Sequence, residues 1–263
     1  MATDAYLLDN RERQAAARFD ALSALFDEVT RRHVASLGIR PGWRCWEVGT
    51  GGVSVPAWLA AQVGADGSVL ATDIDPSWVD GVAPAGVEVR RHDVAQDDPP
   101  EGGFDLVHAR LVLTHVPGRG EALRRMAAAL RPGGHLLIED FDIALQPLAC
   151  PAATGPEHAR AERIRAGFVA LLVARGVDRR FGRSLPVSMR ALGLTDVRAD
   201  ASFPLADPAT AALEIANVQQ VRDGLVAQGD ATAEEIDAHV AALGEARLDL
   251  CVPPLLSASG RRP

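Results

Sequence analysis

The chain has 263 residues, 48% of them hydrophobic, and a net charge of -8. That length and composition allow one large α/β domain with an ample core, while the acidic balance repels a phosphate backbone and excludes nucleic acid as the expected partner. All 27 basic residues are arginine, which excludes a lysine Schiff base, a P-loop lysine and a lysine general base.

Residues 3–37 carry Ala17, Leu22, Leu25, Phe26 and Val29 at helical spacing, so an N-terminal helical lid over 1–37 is expected. Met1-Ala2-Thr3-Asp4-Ala5-Tyr6 lacks the basic and apolar regions of a leader, and no run of eighteen apolar residues occurs. Cys45, Cys150 and Cys251 are widely separated without a C-x-x-C, which suggests neither a zinc ribbon nor a disulfide framework. A soluble protein of the reducing cytoplasm, without membrane association, is the expectation.

Arg44-Cys45-Trp46-Glu47-Val48 reads as a buried strand and Val53 to Val63 as a helix, which places Gly49-Thr50-Gly51-Gly52 at a strand-to-helix turn. Glycine suits a backbone that turns sharply and lets a ligand approach. Val69-Leu70-Ala71-Thr72 is a second strand, ending in Asp73, a carboxylate placed to accept both hydroxyls of a ribose. Two features argue against a nicotinamide cofactor. The third glycine of G-x-G-x-x-G falls at Ser54, and Glu47 is a poor neighbour for a diphosphate. Glu47 suits an ammonium group instead, and S-adenosylmethionine carries one and no phosphate.

Further motifs follow in order. They are Asp93-Val94 after Val87-Glu88-Val89-Arg90, then Phe104-Asp105-Leu106-Val107 with His108, Ala109 and Arg110, then Leu130-Arg131-Pro132-Gly133-Gly134 leading to Glu139. With Glu47-Val48-Gly49-Thr50-Gly51, these resemble the class I S-adenosylmethionine-dependent methyltransferases, although Val53 stands where that family has a third glycine. The resemblance implies a Rossmann-like α/β fold with a seven-stranded, mostly parallel sheet and helical cap insertions. It also implies that Glu47, Gly49, Thr50 and Gly51, as the first motif, bind S-adenosylmethionine and that Asp73 binds its ribose. Ile74 would pack on the adenine, Asp93 and Val94 read its edge, and His108, Ala109 and Arg110 lie beside the methionine part. The product would be S-adenosylhomocysteine.

One domain over 1–263 is expected, with a cofactor-binding core over 38–142. After Asp142 the strand-helix rhythm breaks. Residues 143–157 are rich in Pro, Ala and Gly, 158–175 look helical, Leu185 to Leu192 resembles a sheet-packing helix, and Val197 to Leu205 reads as strand six. Residues 208–246 read as helices before a last strand from Leu248 to Ser257, antiparallel by the resemblance. The expected caps are 143–182 and 207–247, with the final strand and tail over 248–263.

Methyl transfer is an in-line displacement that requires a nucleophile held at roughly 3 Å and bulk water excluded. Candidate bases are His108, His115, Asp140 and Asp142. His115, which titrates near neutrality, and Asp142 are the chosen catalytic pair. No metal is expected, since Asp73-Ile74-Asp75 lacks the glycine and distal glutamate of a calcium loop. The leading reading is an O-methyltransferase of secondary metabolism acting on a mainly apolar small molecule. Two alternatives stay open: an enzyme of the same fold and cofactor that rearranges or cyclises without methylating, and a non-catalytic nucleoside-binding protein. A homodimer paired through the N-terminal helices or caps is one expectation, a monomer the other.

Overall fold

The computed structural model describes residues 7–8, 14–149, 155–205 and 207–263. The expectations on Met1-Ala2-Thr3-Asp4-Ala5-Tyr6 and Cys150 lie outside the described residues.

Seven strands form one sheet: β1 (Arg44–Val48), β2 (Ser68–Asp73), β3 (Val87–Arg91), β4 (Phe104–Arg110), β5 (Leu130–Phe141), β6 (Thr195–Ser202) and β7 (Leu255–Arg261). Their order is β3-β2-β1-β4-β5-β7-β6. The first five are parallel to one another, and β7 runs antiparallel between β5 and β6. The described helices are α1 (Gln14–Ser36), α2 (Ser54–Val63), α3 (Arg119–Ala129), α4 (Gln146–Ala149), α5 (Pro156–Ala174), α6 (Phe181–Ala191), α7 (Pro208–Gln220), α8 (Arg222–Gln228) and α9 (Ala233–Gly244). None is long and apolar enough to cross a membrane.

Because strand side chains alternate, β1, β2, β4 and β5 each feed two cores. On one face Cys45, Val69, Leu106 and Leu137 pack with Val34 of α1 and with Val55, Leu59 and Val63 of α2. On the other face Trp46, Val48, Leu70, Val107, Leu136 and Ile138 meet Leu123 and Met126 of α3 and Phe181, Leu185 and Met189 of α6. Val34 is fully buried, so the last turns of α1 are core rather than the lid expected over 1–37.

The chain divides into two compact units. The sheet unit takes Asp27–Asp142, Arg179–Ser202 and Leu255–Pro263, and the helical unit takes the described residues of Met1–Phe26, Ile143–Asp178 and Phe203–Pro254. Within the helical unit Leu8, Ile164, Leu171, Val218, Val221, Leu225 and Ile236 form one core. Thr232 and Glu235 close a reciprocal capping box at the start of α9. Helix α6, whose first residues were expected in a cap, belongs to the sheet unit. The last strand begins at Leu255 rather than Leu248. Pro253 and Pro254 have no N–H to give a ladder, and Leu248 and Leu250 instead pack with Ala161, Ala242 and Leu243.

Candidate active site

Strand order reverses between β1 and β4, and ligands of open parallel sheets bind beyond the carboxyl ends of the strands at such a point. The turn after β1 lies there. Gly49 and Gly51 have φ of 67° and 52°, in the left-handed region that disfavours a side chain. A Cβ on Gly49 would stand 2.2 Å from Val112 Cγ2, so the turns after β1 and β4 touch through this glycine. The Gly49 and Thr50 N–H groups both donate to Thr72 O, at 2.7 and 3.1 Å, which locks the turn to β2. Val53 precedes α2 at φ -89°, an ordinary helical value, so the family's third glycine is not demanded there.

Asp73 closes the other side of the turn. Its Oδ2 accepts from Gly51 N–H at 3.2 Å and its Oδ1 from Asp75 N–H at 3.0 Å. Each oxygen keeps a further lone pair. Burial pushes this carboxyl above its ordinary range, against the lowering effect of those two N–H groups. Beside it Ile74 is 48% exposed, an apolar face open to a ligand ring, while Val94 is buried. Asp93 turns into its own loop, its Oδ1 accepting from Ala95 N–H at 2.9 Å and its Oδ2 from the Gln96 amide at 2.6 Å. These features fit an adenosine group: a carboxylate for the ribose, an apolar face for the ring, and a glycine turn between them.

The remaining predicted residues fall differently. Glu47 is buried, and its Oε2 lies 2.6 Å from Nδ1 of a fully buried His108. Ala109 is equally buried. Arg110 donates to Asp27 Oδ1 at 2.9 Å and to Thr30 Oγ1 at 3.0 Å, so its guanidinium fastens α1 to β4 rather than standing ready for a cofactor carboxylate. Asp142 is corrected in the same way: Arg183 grips it with two prongs, Nε to Oδ2 at 2.5 Å and Nη2 to Oδ1 at 2.6 Å. Arg183 N–H also donates to Oδ2 at 3.2 Å, so this carboxylate anchors the start of α6. Gly182 beside it allows the close approach, since a Cβ there would meet Asp140 O at 2.9 Å.

His115 ends a 3-10 turn over Leu113–His115 and is half-buried. The neighbouring Asp140 is fully buried and accepts from Thr114 N–H at 3.0 Å and Phe141 N–H at 2.9 Å. Burial pushes Asp140 up to about 7, outweighing those two hydrogen bonds. It thus pins the turn that carries His115.

A groove of about 710 Å³ opens elsewhere on the sheet unit, lined by Arg44, Ser68, Val87 and Phe104, the first residues of β1 to β4. It lies at the amino ends of the strands, away from the glycine turn and Asp73, and the strand direction places a nucleotide ligand at the other end.

Known proteins agree with this architecture. A family model described as a methyltransferase domain matches residues 7–199. Methyltransferase str2 of Strobilurus tenacellus is 30% identical over 181 residues, 66% of this chain and 62% of that protein. The ubiquinone/menaquinone biosynthesis C-methyltransferase UbiE of Ectopseudomonas mendocina is 31% identical over 139 residues, 49% of this chain and 54% of that protein. The chain spans about half to three-fifths of the length of the curated relatives it matches. Among solved structures, phosphoethanolamine N-methyltransferase 2 of Haemonchus contortus, in complex with phosphomonomethylethanolamine and S-adenosylhomocysteine, shares the fold. Its TM-score is 0.59 at 16% identity, over 98% of this chain and 59% of that one. The chain belongs to the methyltransferase-domain family and has the Rossmann-like fold of the class I S-adenosylmethionine-dependent methyltransferases.

Proposed function

We propose that the chain binds S-adenosylmethionine beyond the carboxyl ends of β1 and β2 and methylates a mainly apolar small molecule, with oxygen as the acceptor atom and a secondary-metabolite scaffold as its carrier. One observation carries the cofactor half of this reading: the Asp73 carboxylate meets the glycine turn through Gly51 N–H at 3.2 Å, at the reversal of strand order. The apolar character of the acceptor, though not oxygen as its atom, is supported by C-methyltransferase relatives named for ubiquinone/menaquinone biosynthesis, and by helices rich in Ala, Leu and Val with isolated polar residues such as Asn217.

When bound, the cofactor supplies an activated sulfonium methyl group. The chain's own residues then divide the work. Asp73 accepts from the two ribose hydroxyls, Ile74 covers one face of the adenine, and Asp93 with Val94 borders its edge. Gly49 and Gly51, with Thr50 between them, form the turn against which the methionine part lies, and Glu47 faces the ammonium. Arg110 acts at one remove by holding α1 through Asp27 and Thr30. His115, on the turn pinned by Asp140, is the base for an acceptor hydroxyl.

Calorimetric titration tests the cofactor assignment. S-Adenosylmethionine and S-adenosylhomocysteine are expected to bind and NAD not to bind. Asp73→Ala is expected to weaken both adenosyl ligands at least roughly tenfold, the scale of losing charge-assisted hydrogen bonds. Equal affinity in the variant would remove Asp73 from the site. Product mass then identifies the reaction, since methylation adds one methyl group and a rearrangement adds nothing.

A further inference from the structure

The face of the sheet covered by α1 changes character along the strands. Its amino half is apolar, with Cys45, Leu106 and Leu137. Its carboxyl half carries a polar stripe across five adjacent strands, buried on β1, β4, β5 and β7 and exposed at Asp200 of β6. Glu47 of β1 pairs laterally with His108 of β4, and Glu139 of β5 with Ser257 of β7, which itself pairs with Asp200 of β6. His108 Nδ1 lies 2.6 Å from Glu47 Oε2, and its Nε2 lies 3.3 Å from Glu139 Oε2. Glu139 also accepts from Thr30 and from Ser257 Oγ at 2.8 Å. His33 bridges Glu139 Oε1 at 3.0 Å and Asp200 Oδ1 at 2.9 Å.

An imidazole with a carboxylate at each nitrogen donates to both only as imidazolium. Burial opposes that charge, but the adjoining Glu47 and Glu139 outweigh it and hold His108 up at about 9. The groups facing His108 are Glu47 from β1 and Glu139 from β5. Behind them stand His33 and Thr30 from α1, Ser257 from β7 and Asp200 from β6. On its own strand, Arg110 is committed to Asp27. Among the described residues only His108 bonds the Glu47 carboxylate, and it does so through Oε2 alone.

We propose that His108 is a positioning residue for the cofactor, clamping one oxygen of Glu47 so that the other oxygen meets the ammonium of S-adenosylmethionine. The inference rests on the cofactor reading above. A buried carboxylate is costly without a partner, and His108 at 2.6 Å is the partner of Glu47. His108 therefore acts on the ligand through Glu47, without touching it.

The test is calorimetric titration of the wild type, His108→Gln and Glu47→Gln at one neutral pH with S-adenosylmethionine and with 5′-methylthioadenosine, which keeps the adenosine and lacks the ammonium. His108→Gln is expected to weaken S-adenosylmethionine roughly tenfold and to leave 5′-methylthioadenosine unchanged, the pattern expected of Glu47→Gln as well. A merely structural histidine weakens both ligands alike. A folded His108→Gln with wild-type affinity for S-adenosylmethionine, or with an equal loss for both ligands, overturns the proposal and leaves the cofactor reading standing. A wild type that binds neither ligand overturns that reading itself. If His108→Gln does not fold, Glu47→Gln decides alone: an unchanged ratio of the two affinities sinks the proposal.

Discussion

At Gly49 a single missing Cβ joins two turns, and the site depends on it. Its φ of 67° costs any L-residue about 1–2 kcal/mol. An added Cβ would also stand 2.2, 3.1 and 3.2 Å from Val112 Cγ2, Cγ1 and Cβ. Valine is stiff at χ1, and rotation relieves only the first of these contacts, so overpacking adds about 1–3 kcal/mol. Gly49→Ala is therefore expected to lose about 2–5 kcal/mol in urea unfolding. Adding Val112→Ala should return the overlap share and leave the backbone share. A double variant no more stable than Gly49→Ala would show that the strain lies wholly in the backbone. The need for glycine here was legible in Glu47-Val48-Gly49-Thr50-Gly51. The reason was not, because Val112 lies beyond another strand, and only the fold brings it over the turn.

Strands were the most legible elements. Arg44 to Val48 was read with the bounds it has, because an apolar run closed by a glycine turn admits few alternatives. Elements that depend on the break between the two units were read less well: the last strand was drawn through Pro253-Pro254, and α6 was split between cap and core. Asp142 shows the same limit. A carboxylate at a strand end beside Asp140 looks catalytic in sequence, but its partner Arg183 is 41 residues away. The stripe through His108 was equally hidden, since Glu47 and Glu139 lie 61 and 31 residues from it and meet it only through strand order. The arginine is partly exposed, so the ion pair is discounted to the value of its hydrogen bonds. Asp142→Asn is expected to cost about 2 kcal/mol of stability by loosening α6, with cofactor affinity unchanged. A collapse in turnover at wild-type stability would return Asp142 to the catalytic role.

The stability of the whole molecule against pH follows from its charge inventory. The chain has no lysine and a single tyrosine, so above the range of Asp140, itself pushed up to about 7, the side chains that titrate up to about pH 9 are imidazoles and thiols. His108 is held up at about 9 from an ordinary value of 6.5, by Glu47 and Glu139 against burial. His33 is raised as well, where hydrogen bonds to Glu139 and Asp200 overcome burial. A raised base contributes stability that is complete below its unfolded pKa and is lost as the pH climbs toward its folded one. Cys45, pushed up by burial, adds a loss that starts only where the unfolded thiol ionises, at about 9. The window between about pH 7 and pH 9 therefore belongs to the imidazoles. Glu139 works on the other side: burial raises it, but His108, His33 and Thr30 hold it below the carboxylate range, so its contribution disappears as the pH falls below about 4. Urea midpoints should show a broad maximum from weakly acidic to neutral pH, then an alkaline decline approaching about 1.4 kcal/mol per pH unit for one retained proton. His108→Gln should flatten that decline below about pH 9 while lowering the maximum. If the decline keeps its slope in the variant, the retained proton is not on His108, and the imidazolium between the two carboxylates is not what the folded state protects.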